Sequence, residues 1–280
     1  MKEIEEFVRK KYDIEALVGQ GAKSKVFKVK KGSVVYALKV SEDVELLKRE
    51  AFFLKNLSYD TFPRFFDWME SEQAYLIMEY VEGFNLQEIM DKGQMFSLEE
   101  ALWILEPVLQ GLDYLHRQSP YIVYRDLKPA NILVGINGQI YLTDFGSAFT
   151  ETMRDMLKVR TGTYGYAAPE QFWQDMQATP DWDVYAAGKL LGYLLTGKNP
   201  AIPPYQVEVF YENDKRVSPF ISEVINRCLN KNREARYVNA GELLKALKEA
   251  KDTEKKHSFR KRVKVKYKKC VWMSEYRRIF

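Results

Sequence analysis

From residue 11 the chain alternates in a way that predicts strands. Ile14, Ala16 and Val18 alternate, Val26, Phe27 and Val29 follow a glycine turn, and Lys31-Gly32-Ser33 marks a second turn before VVYALKV (34–40). A helix is expected over roughly 42–57, where Leu46, Glu50, Leu54 and Leu57 fall on one face. Short strands are expected around Phe65–Met69 and Tyr75–Tyr80. From about residue 84 the pattern turns helical. Ser97 with Glu100 three residues on reads as a capping box, and Leu102, Leu105, Leu109, Leu112 and Leu115 continue an amphipathic helix that Pro107 is positioned to kink. The runs 132–134 and 140–145 flank Asn137-Gly138, a hairpin signal. Residues 184–195 are almost wholly apolar, which predicts a helix buried on all sides, and helices are expected over 219–229 and 239–250. Strands first and helices after predict an α+β, bilobal chain jointed near 79–84, with an N-lobe over 1–82, a C-lobe over 83–250 and a tail over 251–280.

Composition narrows the chemistry. At 280 residues, 46% hydrophobic and 29% charged, the chain is that of a globular protein. No apolar run reaches the roughly 18 residues that span a bilayer, and the first ten residues carry no signal-peptide pattern, so a cytoplasmic protein without a transmembrane segment is expected. Two isolated cysteines and two histidines exclude a disulfide scaffold, a Cys/His zinc site and a histidine-centred triad. Any catalysis must run on carboxylates, lysines and backbone. The net charge of +4 hides a split: residues 251–280 hold 12 Lys/Arg against 3 Asp/Glu, leaving the body acidic.

Three places resist a packing explanation. Gly19-Gln20-Gly21 leads into an alternating strand rather than a helix, so this loop caps a hairpin, either as an ordinary turn or with its backbone N–H groups free to cover an anion. Lys39 lies inside an apolar strand, where a lysine often snorkels. Glu50, however, sits on the apolar stripe of the next helix, and a buried carboxylate wants a cation. Lys39 is the nearest by chain order. Finally, Asp126, Lys128 and Asn131 crowd one loop ahead of the hairpin, and Asp144-Phe145-Gly146 follows it. Two carboxylates and an amide form a hard oxygen site of the kind that holds Mg²⁺ together with phosphates.

These motifs, in this order, resemble the eukaryotic-type protein kinases over roughly residues 12–250: GQGAKSKV (19–26), YALK (36–39), Glu50, YRDLKPAN (124–131), DFG (144–146), AAPE (167–170), DVYAAG (183–188) and Arg236. The compact length and the ending ELLKAL (242–247) look most like bacterial-type Ser/Thr kinases. The resemblance implies ATP with Mg²⁺, or Mn²⁺ in its place, and a protein substrate. Lys39 contacts the α/β-phosphates and is held by Glu50; Asp144 and Asn131 bind metal; Asp126 takes the substrate hydroxyl's proton; Lys128 steadies the γ-phosphoryl group. Gly19, Gln20 and Gly21 cover the phosphates, Met78 is the gatekeeper, Glu79–Val81 form the hinge, Val26, Ala37 and Leu133 sandwich adenine, and Asn85 lies where a ribose contact is expected. Leu54, Tyr124 and Phe145 match a regulatory stack, Asp183 an anchor for the catalytic loop, Glu170 and Arg236 a buried ion pair, and Thr163 the partner of the catalytic aspartate.

The chain departs from the family where Ser24 replaces a loop glycine and Tyr124 the usual histidine. Arg125 implies regulation by phosphorylation, with Thr150, Thr152, Thr161 and Thr163 as candidate acceptors and Thr161 first among them. Two alternatives stay open: a nucleotide-binding pseudokinase or scaffold, and a small-molecule kinase. The basic tail 251–280, with seven Lys/Arg over 260–269, is either solvated or a contact for anionic lipid, nucleic acid or the acidic body of the same chain.

Overall fold

The computed structural model describes residues 6–21, 23–151, 162–173, 176–203, 214 and 216–257. The alternating N-terminal segments form one antiparallel sheet, ordered β1-β2-β3-β5-β4, from β1 (Asp13–Gln20), β2 (Ser24–Lys31), β3 (Val34–Ser41), β4 (Phe65–Glu70) and β5 (Ala74–Glu79). Residues across an antiparallel ladder share a face. Gly19 opposes Val26, Val26 opposes Lys39 and Ala37 opposes Met78, so these five line the inner face. The outer face has its own core of Phe27, Val29, Leu38, Val40, Tyr75 and Ile77, closed by Val8 of the short helix α1 (Glu6–Arg9) and by Tyr12.

Against the inner face lies α2 (Val44–Asn56), capped by Asp43, whose carboxylate accepts from Leu46 N at 3.1 Å. Leu47, Ala51, Phe53 and Leu54 are its buried apolar positions, and Glu50 is buried among them at 1% exposure.

The second lobe is helical. After β6 (Gly83–Asn85) and α3 (Leu86–Asp91), α4 (Leu98–His116) starts at the expected capping box: Ser97 N donates to Glu100 Oε2 at 2.8 Å, and Glu100 N to Ser97 Oγ at 3.3 Å. The helix continues through Pro107. β7 (Ile122–Val123) pairs with β10 (Phe149–Thr150), and the expected hairpin is β8 (Ile132–Gly135) with β9 (Ile140–Leu142), turning at Gly138, whose φ of 80° suits glycine. Every residue of α5 (Asp181–Thr196) is buried. A Cβ at Gly188 would stand 2.6 Å from Cys228 Cβ, so this glycine lets α6 (Pro219–Cys228) lie directly on α5. The last helix, α7, spans 240–257 and so extends seven residues beyond the expected boundary at 250.

One apolar cluster runs from Ala37, Leu76 and Met78 of the sheet through Leu54 and Phe145 to Leu190 and Leu243 of the helices. The molecule is bilobal, with its main core continuous across the joint. The tail beyond 257 lies outside the described residues.

Candidate active site

Lys39 is buried on the inner face, and its ammonium meets two carboxylates: Glu50 Oε2 at 2.6 Å and Asp144 Oδ1 at 3.2 Å. The stripe position of Glu50 thus has the physical consequence expected of it. Burial works against the Lys39 charge, yet Glu50 and Asp144 more than offset it and hold the lysine above its usual pKa. Burial also raises Glu50 to about 7, against the pull of Lys39. Asp144 stays below the usual carboxylate value: burial would raise it, but Lys39 prevails. The backbone of Asp144 is left-handed, with φ of 63°, and its side chain is 42% exposed, so the carboxylate has an open side as well as Lys39. Behind it, Leu46 of α2 lies close enough to meet a Cβ at Gly146 at 3.0 Å, and Arg49 Nη1 donates to Gly146 O at 3.2 Å.

The loop before the hairpin turns Asp126 toward the same region. Its Oδ1 accepts from Thr163 Oγ1 at 2.8 Å, and its Oδ2 accepts from Lys128 Nζ at 2.8 Å and Asn131 Nδ2 at 3.1 Å. Lys128 Nζ also reaches Thr163 Oγ1 at 2.8 Å, and Asn131 Nδ2 holds the Asp126 carbonyl at 2.8 Å. The loop itself hangs from Asp183 at the start of α5, which accepts from Tyr124 N and Arg125 N, each at 2.8 Å. Sequence reasoning missed the third partner of Asp183, His116, whose Nε2 lies 2.9 Å from Oδ2 while Nδ1 accepts from Ala240 N at 3.2 Å. No local pattern announces a pair 67 positions apart.

Tyr124 is fully buried, its ring edge-on to Phe145 at 5.4 Å and its hydroxyl donating to Thr143 O. Phe145 also meets Phe62 edge-on at 4.9 Å, a contact that sequence reasoning did not include. Arg125 is buried with φ of 70°, donates from Nε to Ser147 O at 2.6 Å and lies over the Phe149 ring; burial, then neighbouring Arg49, lower its pKa to about 10. Glu170 and Arg236 are paired, Nη2 to Oε2 at 3.1 Å, and buried Asp181 and half-buried Arg233 extend the pair into a cluster that the sequence alone did not disclose.

Other expected site residues have more mixed surroundings. Val26, Ala37 and Met78 share the inner face with Lys39, and Leu133 opposes Asn85 across β6 and β8. Glu79 donates its N–H to Arg64 O at 2.8 Å, and its carboxylate accepts from Arg64 Nε at 3.2 Å, while Val81 is half-buried. Asn85 acts as a cap: its Oδ1 accepts from Gln87 N at 2.8 Å and its Nδ2 donates to Ala130 O at 2.7 Å. In the glycine loop the Gly21 N–H is taken by Ser24 O at 2.8 Å, so it is engaged within the loop rather than free for an anion, and Gln20 opposes Lys25. Of the candidate acceptors, Thr150 is buried, Thr163 is bonded to Asp126, and Thr152 and Thr161 lie outside the described residues.

Among the described residues, no group of three or more His, Cys, Asp or Glu forms a metal cage. Thr143 N donates to Asn131 O at 2.9 Å, which ties the chain just before Asp144 to the loop of Asn131, and a carboxylate and an amide oxygen are donors of the kind that hard divalent ions take together with water and phosphate. No helix among the described residues is long and apolar enough to cross a membrane.

Comparison with known proteins agrees with this fold. The family model described as protein kinase domain matches residues 12–247. The chain is 32% identical over 204 residues to the "Probable serine/threonine-protein kinase PknB" of Lactococcus lactis, covering 68% of this chain and 32% of that protein. It is 34% identical over 219 residues to the "Serine/threonine-protein kinase B" of Synechocystis, covering 72% and 38%. A yeast relative, the "MAP kinase kinase MKK1/SSP32" of Saccharomyces cerevisiae, is 31% identical over 251 residues, covering 77% and 49%. The matched stretch is thus about a third of the length of the two bacterial relatives. Site geometry, fold and the match over 12–247 lead to one conclusion: the chain belongs to the protein kinase family.

Proposed function

We propose that this protein transfers the γ-phosphoryl group of ATP to serine or threonine hydroxyls of proteins, itself included. The observation that carries the reading is the position of Lys39, 2.6 Å from Glu50 and 3.2 Å from Asp144. It places a fixed cation beside a carboxylate with an open side, the pairing that phosphoryl transfer asks for. Asp144 and Asn131 are the residues to hold a divalent cation, Mg²⁺ or in its place Mn²⁺. ATP supplies the transferable group, and such an ion would neutralise charge on its phosphate oxygens.

Asp126 takes the proton of the attacking hydroxyl as the oxygen bonds to the γ-phosphorus, the bond to the β–γ bridging oxygen breaks and ADP leaves. Lys128, 2.8 Å from Asp126, adds positive charge where the transferred group gathers negative charge. Thr163 keeps Asp126 oriented. Adenine is assigned to the surface formed by Val26, Ala37, Leu133 and Met78 with Glu79–Val81, its ribose to Asn85, and the phosphates to the loop of Gly19, Gln20 and Gly21. A nucleotide-binding scaffold without transfer is disfavoured because Lys39, Glu50, Asp126, Asn131 and Asp144 are all present.

A cytoplasmic location is part of this proposal, as is control by phosphorylation, with Thr161 the first acceptor. The basic tail is assigned contact with anionic lipid, with nucleic acid or with the acidic body of the chain. Truncation at 257 with binding measured at two salt concentrations separates these, since phosphate-driven binding falls steeply with salt. The main reading is tested by mass spectrometry of the purified protein before and after Mg²⁺ and ATP. Added phosphate on Ser or Thr is expected; an unchanged mass, with no transfer to a generic basic protein, contradicts it.

A further inference from the structure

Where the glycine-rich loop rejoins the sheet, a short run of hydrogen bonds reaches the start of α2. Ser24 opens β2 and pairs with Ser41, the last residue of β3. Ser41 is 3% exposed; its hydroxyl donates to Lys23 O at 2.8 Å and accepts from Asp43 N at 3.0 Å. Asp43 in turn caps α2 through Leu46 N at 3.1 Å and takes Lys23 Nζ on its other oxygen at 2.9 Å. One hydroxyl and one carboxylate therefore each bridge from Lys23 to the helix that carries Glu50.

The two links differ in weight. The Lys23 side chain is 67% exposed, and an exposed ion pair contributes little. The Ser41 hydroxyl is buried, and removing it leaves a carbonyl and an amide without this partner, the more costly loss. These hydrogen bonds set the spacing between Lys23 and α2. Glu50 follows Asp43 by about two helical turns on the same rigid element. Leu46 and Arg49 of those turns touch Gly146.

We propose that Ser41 is a positioning residue: it joins the return end of the glycine-rich loop to α2, so that nucleotide held under the loop also steadies Glu50 against Lys39. Asp43 is the second, weaker link. The inference rests on the nucleotide binding proposed above.

Amide hydrogen exchange on the full chain, with and without a non-hydrolysable ATP analogue and Mg²⁺, tests it. In the unsubstituted protein the nucleotide is expected to slow exchange in both 19–26 and 44–50 by about 5- to 10-fold. Ser41→Ala keeps the loop protection, drops that of 44–50 below about 2-fold and lowers kcat by about 3- to 10-fold. Ser41→Thr, which retains the hydroxyl, restores both. Ser41→Cys, which keeps the volume but weakens both hydrogen bonds, gives a smaller loss in the same direction and keeps the test open if Ser41→Ala fails to fold. Full protection of 44–50 in Ser41→Ala, or in Ser41→Cys where that is the folded variant, overturns the proposal. Protection of 19–26 alone in the unsubstituted protein overturns the link while leaving nucleotide binding intact. No protection in either segment overturns nucleotide binding and the link together.

Discussion

Thr163 donates its hydroxyl to Asp126 Oδ1 at 2.8 Å, across 37 positions of chain. With Lys128 bonded to both at 2.8 Å, the three side chains form a closed triangle around the carboxylate assigned to the reacting hydroxyl. Both Asp126 oxygens have partners, so the group is oriented before substrate arrives.

Replacing Asp126 by asparagine keeps the shape of this triangle but removes the proton acceptor. Asp126→Asn is expected to abolish phosphoryl transfer with little change in nucleotide affinity, checked by calorimetric titration alongside a transfer assay. Wild-type turnover by this variant would refute the role assigned to Asp126.

Thr163→Ala leaves Asp126 held through Oδ2 by Lys128 and Asn131 but removes the partner that fixes Oδ1. Misplacement on the order of 1 Å costs about 100-fold in related cases, so a kcat loss of about 10- to 100-fold is expected, with KM for ATP nearly unchanged. Ser at 163 is expected to restore most of the rate. Steady-state kinetics of the two variants checks this.

The pH profile should carry the signature of Glu50. A carboxyl raised to about 7 is protonated below that value, so the ion pair with Lys39 is complete above it and lost as pH falls through it. The acid limb of kcat/KM for ATP is therefore expected near pH 7 and absent from an already impaired Glu50→Gln variant. Stability should move the other way. The folded state holds this proton more tightly than the unfolded chain, where the value is 4.5, so the contribution of Glu50 to stability is present below 4.5 and lost as pH rises toward 7. Denaturant titrations at pH 5 and 7, with Glu50→Gln as the reference, check the sign.

Arg236 is fully buried between Glu170 and Asp181 and stacks on the Tyr185 ring at 4.9 Å. Removing one side of a buried pair strands the other charges, so Arg236→Ala is expected to cost about 3–5 kcal/mol of stability, measured by urea unfolding. A loss below about 1 kcal/mol would mean that the cluster is solvated.

Much of this is legible in the sequence alone, for identifiable reasons. Glu50 on an apolar stripe demanded a cation, and Lys39 in an apolar strand supplied it. Asn137-Gly138 and the Ser97–Glu100 box declared themselves because their physics is local. What stayed hidden depends on distant pairings. His116 is an unremarkable helix-end residue until α5 brings Asp183 to it, and Asp181 and Arg233 join the Glu170–Arg236 pair only in three dimensions. Asn85, read by resemblance as a ribose contact, is also the cap of α3 and a brace for Ala130, two local roles that its position before Leu86 could have suggested. The engagement of the Gly21 N–H by Ser24 depends on the loop's own turn, which a glycine count does not specify.

The central claim is that Lys39, Asp144 and Asp126 act on one nucleotide. Labelled ATP with Mg²⁺, supplied to the unsubstituted protein, to Lys39→Met and to Asp126→Asn, tests it most directly. The account predicts label on the unsubstituted chain or an added basic protein and none from either variant, with nucleotide binding weakened only in Lys39→Met. Absence of label from the unsubstituted protein, or equal label from Asp126→Asn, would contradict it.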